Sequence, residues 1–187
     1  MNTHTLISAT LATLLSACGS GKADVQMLLT DAPADLALAT AVNVTIDKVQ
    51  LHVVLEGDGA GDENATGDAE EGKSGWRTVC STQATFNLME LTGGKTAAMC
   101  PEAEIDSGKI TQVRLMVSKA EIKWQDGSSS EVTIPSSEQT GIKIVGLARS
   151  LKEGEGNELT LDFDAKASIE VTASTSYTLK PTITLVE

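Results

Sequence analysis

The chain contains few aromatic residues, histidines or cysteines. Aromatic residues make up 3% of its 187 residues, and there are two histidines and three cysteines. The core must therefore be built mainly from Val, Ile, Leu and Ala. His52 is the one histidine beyond residue 17, and the chain has no Gly-x-Ser-x-Gly motif. The sequence thus supports neither a zinc site nor nucleophilic catalysis.

Positive charge is scarce as well. The chain has 14 Lys and Arg against 26 Asp and Glu, a formal net charge of -12 at pH 7. Phosphate backbones repel a chain of this charge, so the composition predicts no nucleic-acid partner. A strongly acidic surface serves solubility, and it also attracts cations and basic partners.

The hydrophobic run at the start of the chain is short. Leu6–Ala17 carries no charge, but twelve residues cannot span a bilayer of about 30 Å as a helix. Such a run is typical of a secretory signal. Residues 15–18, Leu-Ser-Ala-Cys, resemble the bacterial lipobox. They predict cleavage before Cys18 and acylation of its thiol and new amino terminus. By the usual sorting rule, Gly19 directs such a lipoprotein to the outer membrane.

Two cysteines remain after this processing site. An exported protein folds where disulfides persist, so a single bridge between Cys80 and Cys100 is expected. In the chain-entropy model, closing a loop of about 20 residues stabilises the fold by roughly 3 kcal/mol.

The rest of the chain reads as a succession of β-strands. Residues 42–54 alternate in two halves, with a change of phase at Asp47-Lys48 that predicts a β-bulge, and residues 113–124 repeat the pattern. About eight or nine strands with little helix predict an all-β sandwich, immunoglobulin-like or transthyretin-like. Three parts are expected: a signal peptide (1–17), a lipidated tether (18–24) and a single β-sandwich domain (25–187).

One segment of this domain differs from the strands. Residues 56–75 contain seven acidic residues, six glycines, one lysine and no large apolar side chain. A segment of this kind cannot bury enough apolar surface to order itself, so we expect a mobile surface loop.

Seven stretches of the mature chain carry a resemblance to a known family. They are LLTDAPADLA (28–37), VNVTIDKVQLH (42–52), TFNLMEL (85–91), SGKITQVRLMV (107–117), IPSSEQTGIKIV (134–145), LTLDFDAKASI (159–169) and YTLKPTITLV (177–186). In these stretches the chain resembles the DUF4382 family of bacterial lipoprotein domains. The resemblance implies an all-β sandwich on a lipid anchor and no particular activity.

Carboxylates are the candidate site residues. Asp31, Asp162 and Asp164 are candidate calcium ligands, because calcium takes six to eight oxygens. Paired carboxylates also perform acid–base work on glycosides. The alternative is a purely structural role. Asp31 would stabilise a turn, and Asp162 and Asp164 would lie on the polar face of a strand, opposite its apolar face.

The acidic segment holds part of a calcium-loop signature. Asp62, Asn64 and Asp68 occupy ligand-like positions, but Lys73 stands where a bidentate Glu is required. A solvated insertion is the favoured interpretation. Trp76 and Trp124 fit a sugar-stacking platform less well than positions in the core or at its rim.

The favoured function is a non-catalytic binding or structural module of the envelope. It would be anchored to the outer membrane, in contact with protein or glycan, and without a cofactor unless calcium binds. The alternatives are a carboxylate-dependent hydrolase of surface polysaccharide and a calcium-dependent adhesion domain.

Overall fold

The computed structural model describes residues 21–31, 36, 38–135, 141–173 and 176–186. Residues 1–20, which include the predicted signal peptide and Cys18, lie outside this part of the chain. The helical elements here are a 3-10 turn (Leu88–Glu90) and α1 (Ala165–Ser168). The strands are β1 (Lys22–Thr30), β2 (Ala39–Val54), β3 (Gly75–Cys80), β4 (Ala84–Asn87), β5 (Ala97–Ala98), β6 (Ala103–Asp106), β7 (Gly108–Trp124), β8 (Ser129–Thr133), β9 (Ile142–Leu151), β10 (Gly156–Phe163), β11 (Ile169–Ala173), β12 (Ser176–Leu179) and β13 (Ile183–Val186).

The strands form two mixed sheets. The smaller sheet has the order β13-β10-β1-β5, with β6 also paired to β1. The larger has the order β11-β12-β8-β7-β2-β3, with β4 added to β2 and β9 to β7. Two of the pairings, β1 with β10 and β12 with β8, are parallel. The predicted all-β sandwich is confirmed. The strands outnumber the eight or nine expected because several span only two to five residues, too few to show alternation in the sequence.

Both sheets contribute to one apolar core. Alternate residues of each long strand are buried because successive side chains of a strand point to opposite faces. The buried set includes Val25, Met27, Leu29, Val49, Leu51, Val53, Val113, Leu115, Leu159, Leu161 and Phe163. The low aromatic content is reflected here, since aliphatic side chains fill most of this core.

The predicted phase changes in β2 and β7 coincide in space. The register of this antiparallel pair shifts between Ile46 and Lys48, next to the pairing of Ile46 with Val117. Asp47 lies in the bulge, and its Oδ1 accepts hydrogen bonds from Ser118 Oγ (2.8 Å) and Gln83 Nε2 (2.8 Å). The bulge thus lets both strands change faces together and keep an apolar side toward the core.

The amino-terminal strand begins earlier than expected. Residues 18–24 are predicted to be a tether, but β1 already starts at Lys22. The carbonyl of Gly21 accepts from Ser107 N (2.7 Å), and that of Lys22 accepts from Gly154 N (2.9 Å). The sandwich therefore extends to within a few residues of Cys18.

The predicted disulfide is present. Cys80 and Cys100 are bonded with their Cα atoms 5.8 Å apart, and they close a segment that contains β4, the 3-10 turn and β5. Leu88, Leu91 and Met99 of this segment are buried in the core.

Candidate functional site

The outer side of the larger sheet carries polar side chains that are nonetheless buried. On β2, Gln50 lies opposite Arg114 of β7, and Arg114 in turn lies opposite Lys143 of β9. His52, also on β2, lies opposite Trp76 of β3. We call Gln50, His52, Trp76, Arg114 and Lys143 the covered face. All except Lys143 are at most 2% exposed. A polar sheet face normally points to water, so something must lie over it.

The covered face is organised around one indole ring. The Arg114 guanidinium carbon lies 3.7 Å from the centroid of Trp76, and Lys143 Nζ lies 5.9 Å from it. The His52 ring meets the indole edge-on, with centroids 5.1 Å apart. The negative face of an aromatic ring attracts cations, so Trp76 holds two positive charges on the sheet.

The cover is the acidic segment 56–75, which we call the acidic loop. The backbone carbonyl oxygen of its Glu63 accepts from Trp76 Nε1 (3.2 Å), Arg114 Nη2 (3.4 Å) and Lys143 Nζ (2.9 Å). The carbonyl oxygen of Ala65 accepts from Arg114 Nη1 (2.9 Å). Composition alone predicted a mobile loop and gave no sign of these contacts.

The calcium-like residues of the acidic loop have other partners. Asp68 accepts from Gln50 Nε2 (3.0 Å), Thr78 Oγ1 (2.8 Å) and Thr78 N (3.0 Å). Asp62 Oδ1 accepts from Asn64 N (2.8 Å), which closes a local turn. Asp68 is thus directed at the sheet, whereas Asp62 and Asn64 bond to each other.

Two atoms of the covered face have no hydrogen-bond partner among the described residues. These are His52 Nε2 and Arg114 Nε. The other ring nitrogen of His52, Nδ1, lies 2.8 Å from Thr111 Oγ1. Burial lowers the pKa of His52; the charge of Glu63 opposes this, and the Arg114, Lys143 and Arg77 charges add to it. His52 is therefore neutral at pH 7.

An ion-pair cluster fastens the other end of the acidic loop. Arg77 Nε donates to Asp106 Oδ2 (2.7 Å), and Lys22 Nζ donates to Asp106 Oδ1 (2.6 Å). Arg77 also donates to the carbonyl oxygens of Glu70 and Lys73. Burial alone would raise the pKa of Asp106, but the hydrogen bonds from Lys22 and Arg77 hold it below its usual value.

The second acidic set surrounds the carboxyl end of β1. Asp31 is 4% exposed, and its Oδ1 accepts from Ala165 N (2.8 Å). Burial raises the pKa of Asp31 to about 6; the charges of Asp162 and Asp164 add to this, against the Ala165 hydrogen bond. Asp164 caps α1 by accepting from Ala167 N (2.8 Å).

The structure therefore brings Asp31 into the neighbourhood of Asp162 and Asp164. Asp31 Oδ2 and Asp162 Oδ1 are buried and have no partner among the described residues. Within the same part of the chain, no group of three or more His, Cys, Asp or Glu side chains is arranged to hold a metal ion. Calcium binding at these carboxylates stays a prediction.

The sequence did not reveal the covered face. Gln50, His52 and Arg114 occupy alternate positions of apolar strands, where a polar residue is normally interpreted as solvent-facing. The available signal was Trp76, a large ring directly after a glycine-rich acidic segment. The two tryptophans do not form a platform: Trp76 is buried, and the half-buried Trp124 packs against Tyr177 with ring centroids 5.6 Å apart.

An open cleft of about 820 Å³ lies beside the acidic loop. It is lined by both ends of that loop, by Gly21 and by residues of β7 and β9. The cleft is thus close to the point where the chain enters the sandwich.

The fold and the covered face define an all-β sandwich domain with a polar, loop-covered side. The chain belongs to the DUF4382 family, whose model, described as a domain of unknown function, matches residues 22–181. No curated protein and no solved structure matches the chain. Neither helical element in the part of the chain that the structure describes could span a bilayer.

Proposed function

We propose that this chain is a lipoprotein of the outer membrane that acts as a non-catalytic binding or structural module of the cell envelope. The lipobox-like residues 15–18 support an anchor at Cys18. β1 begins four residues later, at Lys22, a span of at most about 14 Å. The sandwich would then lie directly at the membrane surface, with the open cleft near the bilayer.

The observation that carries a binding role is the convergence of donors on the covered face. Trp76, Arg114 and Lys143 all direct N–H groups at one oxygen atom, that of the Glu63 carbonyl. A few convergent polar groups that fix the orientation of an oxygen are typical of recognition sites. The donors are an indole N–H, a guanidinium group and an ammonium group, none of which can accept a hydrogen bond, so the set suits the binding of an oxygen atom.

Cell fractionation tests the anchor. We expect Cys18→Ser to move the protein from the membrane to the soluble fraction, because acyl chains supply about 0.8 kcal/mol of membrane affinity per buried methylene. Ser20→Ala, which keeps the cysteine, is the control and should stay in the outer membrane. Retention of Cys18→Ser in the membrane would refute acylation as the anchor.

Calcium-dependent adhesion is the second candidate. The observation in its favour is the pair of unpartnered buried oxygens, Asp31 Oδ2 and Asp162 Oδ1. We do not propose the hydrolase, because Asp31 is only 4% exposed and a polysaccharide has no access to its carboxyl group.

A melting experiment distinguishes calcium from a proton at this site. If calcium binds, the melting temperature rises by several degrees over that in chelator, and Asp31→Asn abolishes the rise. Without calcium, Asp31→Asn should itself stabilise the fold at pH 7 by roughly 3 kcal/mol. The reason is that the folded pKa is about 6 against an ordinary 3.8, so ionised Asp31 weakens the fold as pH rises through this window. The stabilisation by Asp31→Asn should therefore become small near pH 4. A stabilisation that does not change with pH would contradict the raised pKa of Asp31.

A further inference from the structure

The oxygen of Glu63 occupies a site that is built for a negative charge. Its three donors include two cations, Arg114 and Lys143, and neither forms an ion pair with any residue that the structure describes. Arginine and lysine bind a carboxylate more strongly than a neutral carbonyl oxygen, because the opposite charge of the acceptor adds Coulomb attraction to the hydrogen bond. A buried cation that faces only neutral acceptors is correspondingly less well compensated. The covered face therefore suits a carboxylate better than the backbone carbonyls that fill it.

We propose that the acidic loop occupies, in cis, a binding site for an acidic peptide segment of a partner protein. The inference rests on the proposed binding role and names the ligand of that same site. A carboxylate presents two oxygens to the Nη pair of Arg114, a geometry that guanidinium groups bind in a fork. Lys143 and the Trp76 N–H supply the remaining donors.

The unpartnered atoms of the covered face point to the same conclusion. His52 Nε2 and Arg114 Nε are both buried and form no hydrogen bond with the acidic loop. Buried polar atoms in folded proteins nearly always have a partner. The acidic loop thus leaves these two nitrogen atoms without a hydrogen-bond partner, as expected if the site is shaped for a different ligand.

The contacts of the acidic loop with the covered face indicate that the ligand is a peptide rather than a sugar. The two Nη atoms of Arg114 contact the carbonyl oxygens of Glu63 and Ala65, two residues apart in one backbone segment. The face of Trp76 that would stack on a sugar ring holds the Arg114 guanidinium at 3.7 Å. Acidic residues around this backbone add long-range attraction to the two cations.

The acidic loop can leave the covered face without disrupting the sheet. The pairing of β2 with β3 continues to Val53 and Gly75, so both ends of the loop stay fixed. Its apolar side chains are only alanines. Gly57 and Gly72, near its two ends, have φ of 81° and 73°, a conformation that costs glycine little. The loop is therefore a tethered competitor, with an effective concentration on the order of millimolar.

The fluorescence of Trp76 can report the binding of a peptide to the covered face. In the full chain with Cys18→Ser and Trp124→Phe, Trp76 is the one remaining tryptophan. A matched variant also lacks residues 58–72, which joins Gly57 to Lys73 in a short turn. Both proteins are titrated at low salt with a synthetic peptide of residues 57–72, and the Trp76 emission is followed.

The variant without residues 58–72 should bind the peptide at least about tenfold more tightly than the chain that keeps its loop. Binding should shift Trp76 emission to the blue and weaken at high salt. Lys143→Gln should reduce the affinity about tenfold or more, while Lys123→Gln, an exposed change on β7, should leave it unchanged. A folded variant that binds no peptide, or that binds equally well with Lys143→Gln, would overturn the inference. Preference for polygalacturonate over the peptide would overturn the choice of partner.

A second measurement applies if the shortened chain does not fold. Asp68→Asn in the chain with its full loop weakens the attachment to Gln50 and Thr78, and peptide affinity should then rise a few-fold. The Asp126→Asn control lies in the turn after β7 and should not change it; equal affinities would contradict the proposal. Loss of peptide binding alongside Cys18-dependent membrane retention would remove this inference and leave the anchor standing.

Discussion

Two segments of similar length flank β3, and they are held in opposite ways. The acidic loop, residues 56–75, attaches to the covered face through hydrogen bonds and charge. The bridged segment, residues 80–100, is closed by a disulfide and places Leu88, Leu91 and Met99 in the core. One segment therefore contributes apolar side chains to the fold, and the other contributes mainly backbone carbonyls and carboxylates.

This difference separates stability from function. Burying a large apolar side chain contributes roughly 1.5–3 kcal/mol, and water cannot replace that contact. A hydrogen bond contributes a net value of about 0.5–1.5 kcal/mol, and water or a ligand can replace it. The bridged segment is therefore a permanent part of the sandwich, whereas the acidic loop is a cover that another ligand can displace.

The largest expected effect comes from the ion pair behind the acidic loop. Asp106→Asn leaves Arg77 and Lys22 without a buried counter-charge, which should cost about 3–5 kcal/mol of unfolding free energy. The pKa of Asp106 in the folded protein is held below 3.8. Ionised Asp106 therefore contributes to the unfolding free energy above pH 3.8, and this contribution is lost as the pH falls through the folded pKa. Denaturant titrations at pH 7 and near pH 3 measure both effects. Glu104→Gln, an exposed change on the same strand, is the control, and an equal loss at both pH values would contradict the assignment.

Removing the disulfide should be the next largest effect and should act on the other segment. Cys80→Ala with Cys100→Ala is expected to lower the unfolding free energy by roughly 3 kcal/mol, about 6–12 °C in melting temperature. Reductant should reproduce the loss in the unmodified chain. Trp76 emission in the native state should not change, because the covered face does not depend on the bridge. A red shift of that emission would show that the two segments are coupled.

The sequence predicted the features that depend on local pattern. The phase change of β2 follows from the positions of Val44, Ile46, Val49 and Leu51 in the sequence. The disulfide follows from the two cysteines that remain after the predicted processing site. Strands as short as β5 could not be predicted, because two alanines carry no alternation. The covered face could not be predicted either. A buried Gln or Arg has the same spacing as an exposed one, and only the tertiary path of the acidic loop decides between them.

The smallest expected effect lies in the acidic loop itself. Asp68→Asn keeps an oxygen that can accept from Gln50 or Thr78 but removes the charge, so global stability should fall by no more than about 1 kcal/mol. Acrylamide quenching of Trp76, measured with Trp124→Phe, should nevertheless increase, and 0.5 M salt should increase it in the unmodified loop because exposed charges are screened. Asp126→Asn removes an equivalent carboxylate from the turn after β7 and should change neither. If Trp76 stayed equally protected in Asp68→Asn and in high salt, the acidic loop would be as permanent as the bridged segment, and the distinction between a structural segment and a displaceable cover would not hold.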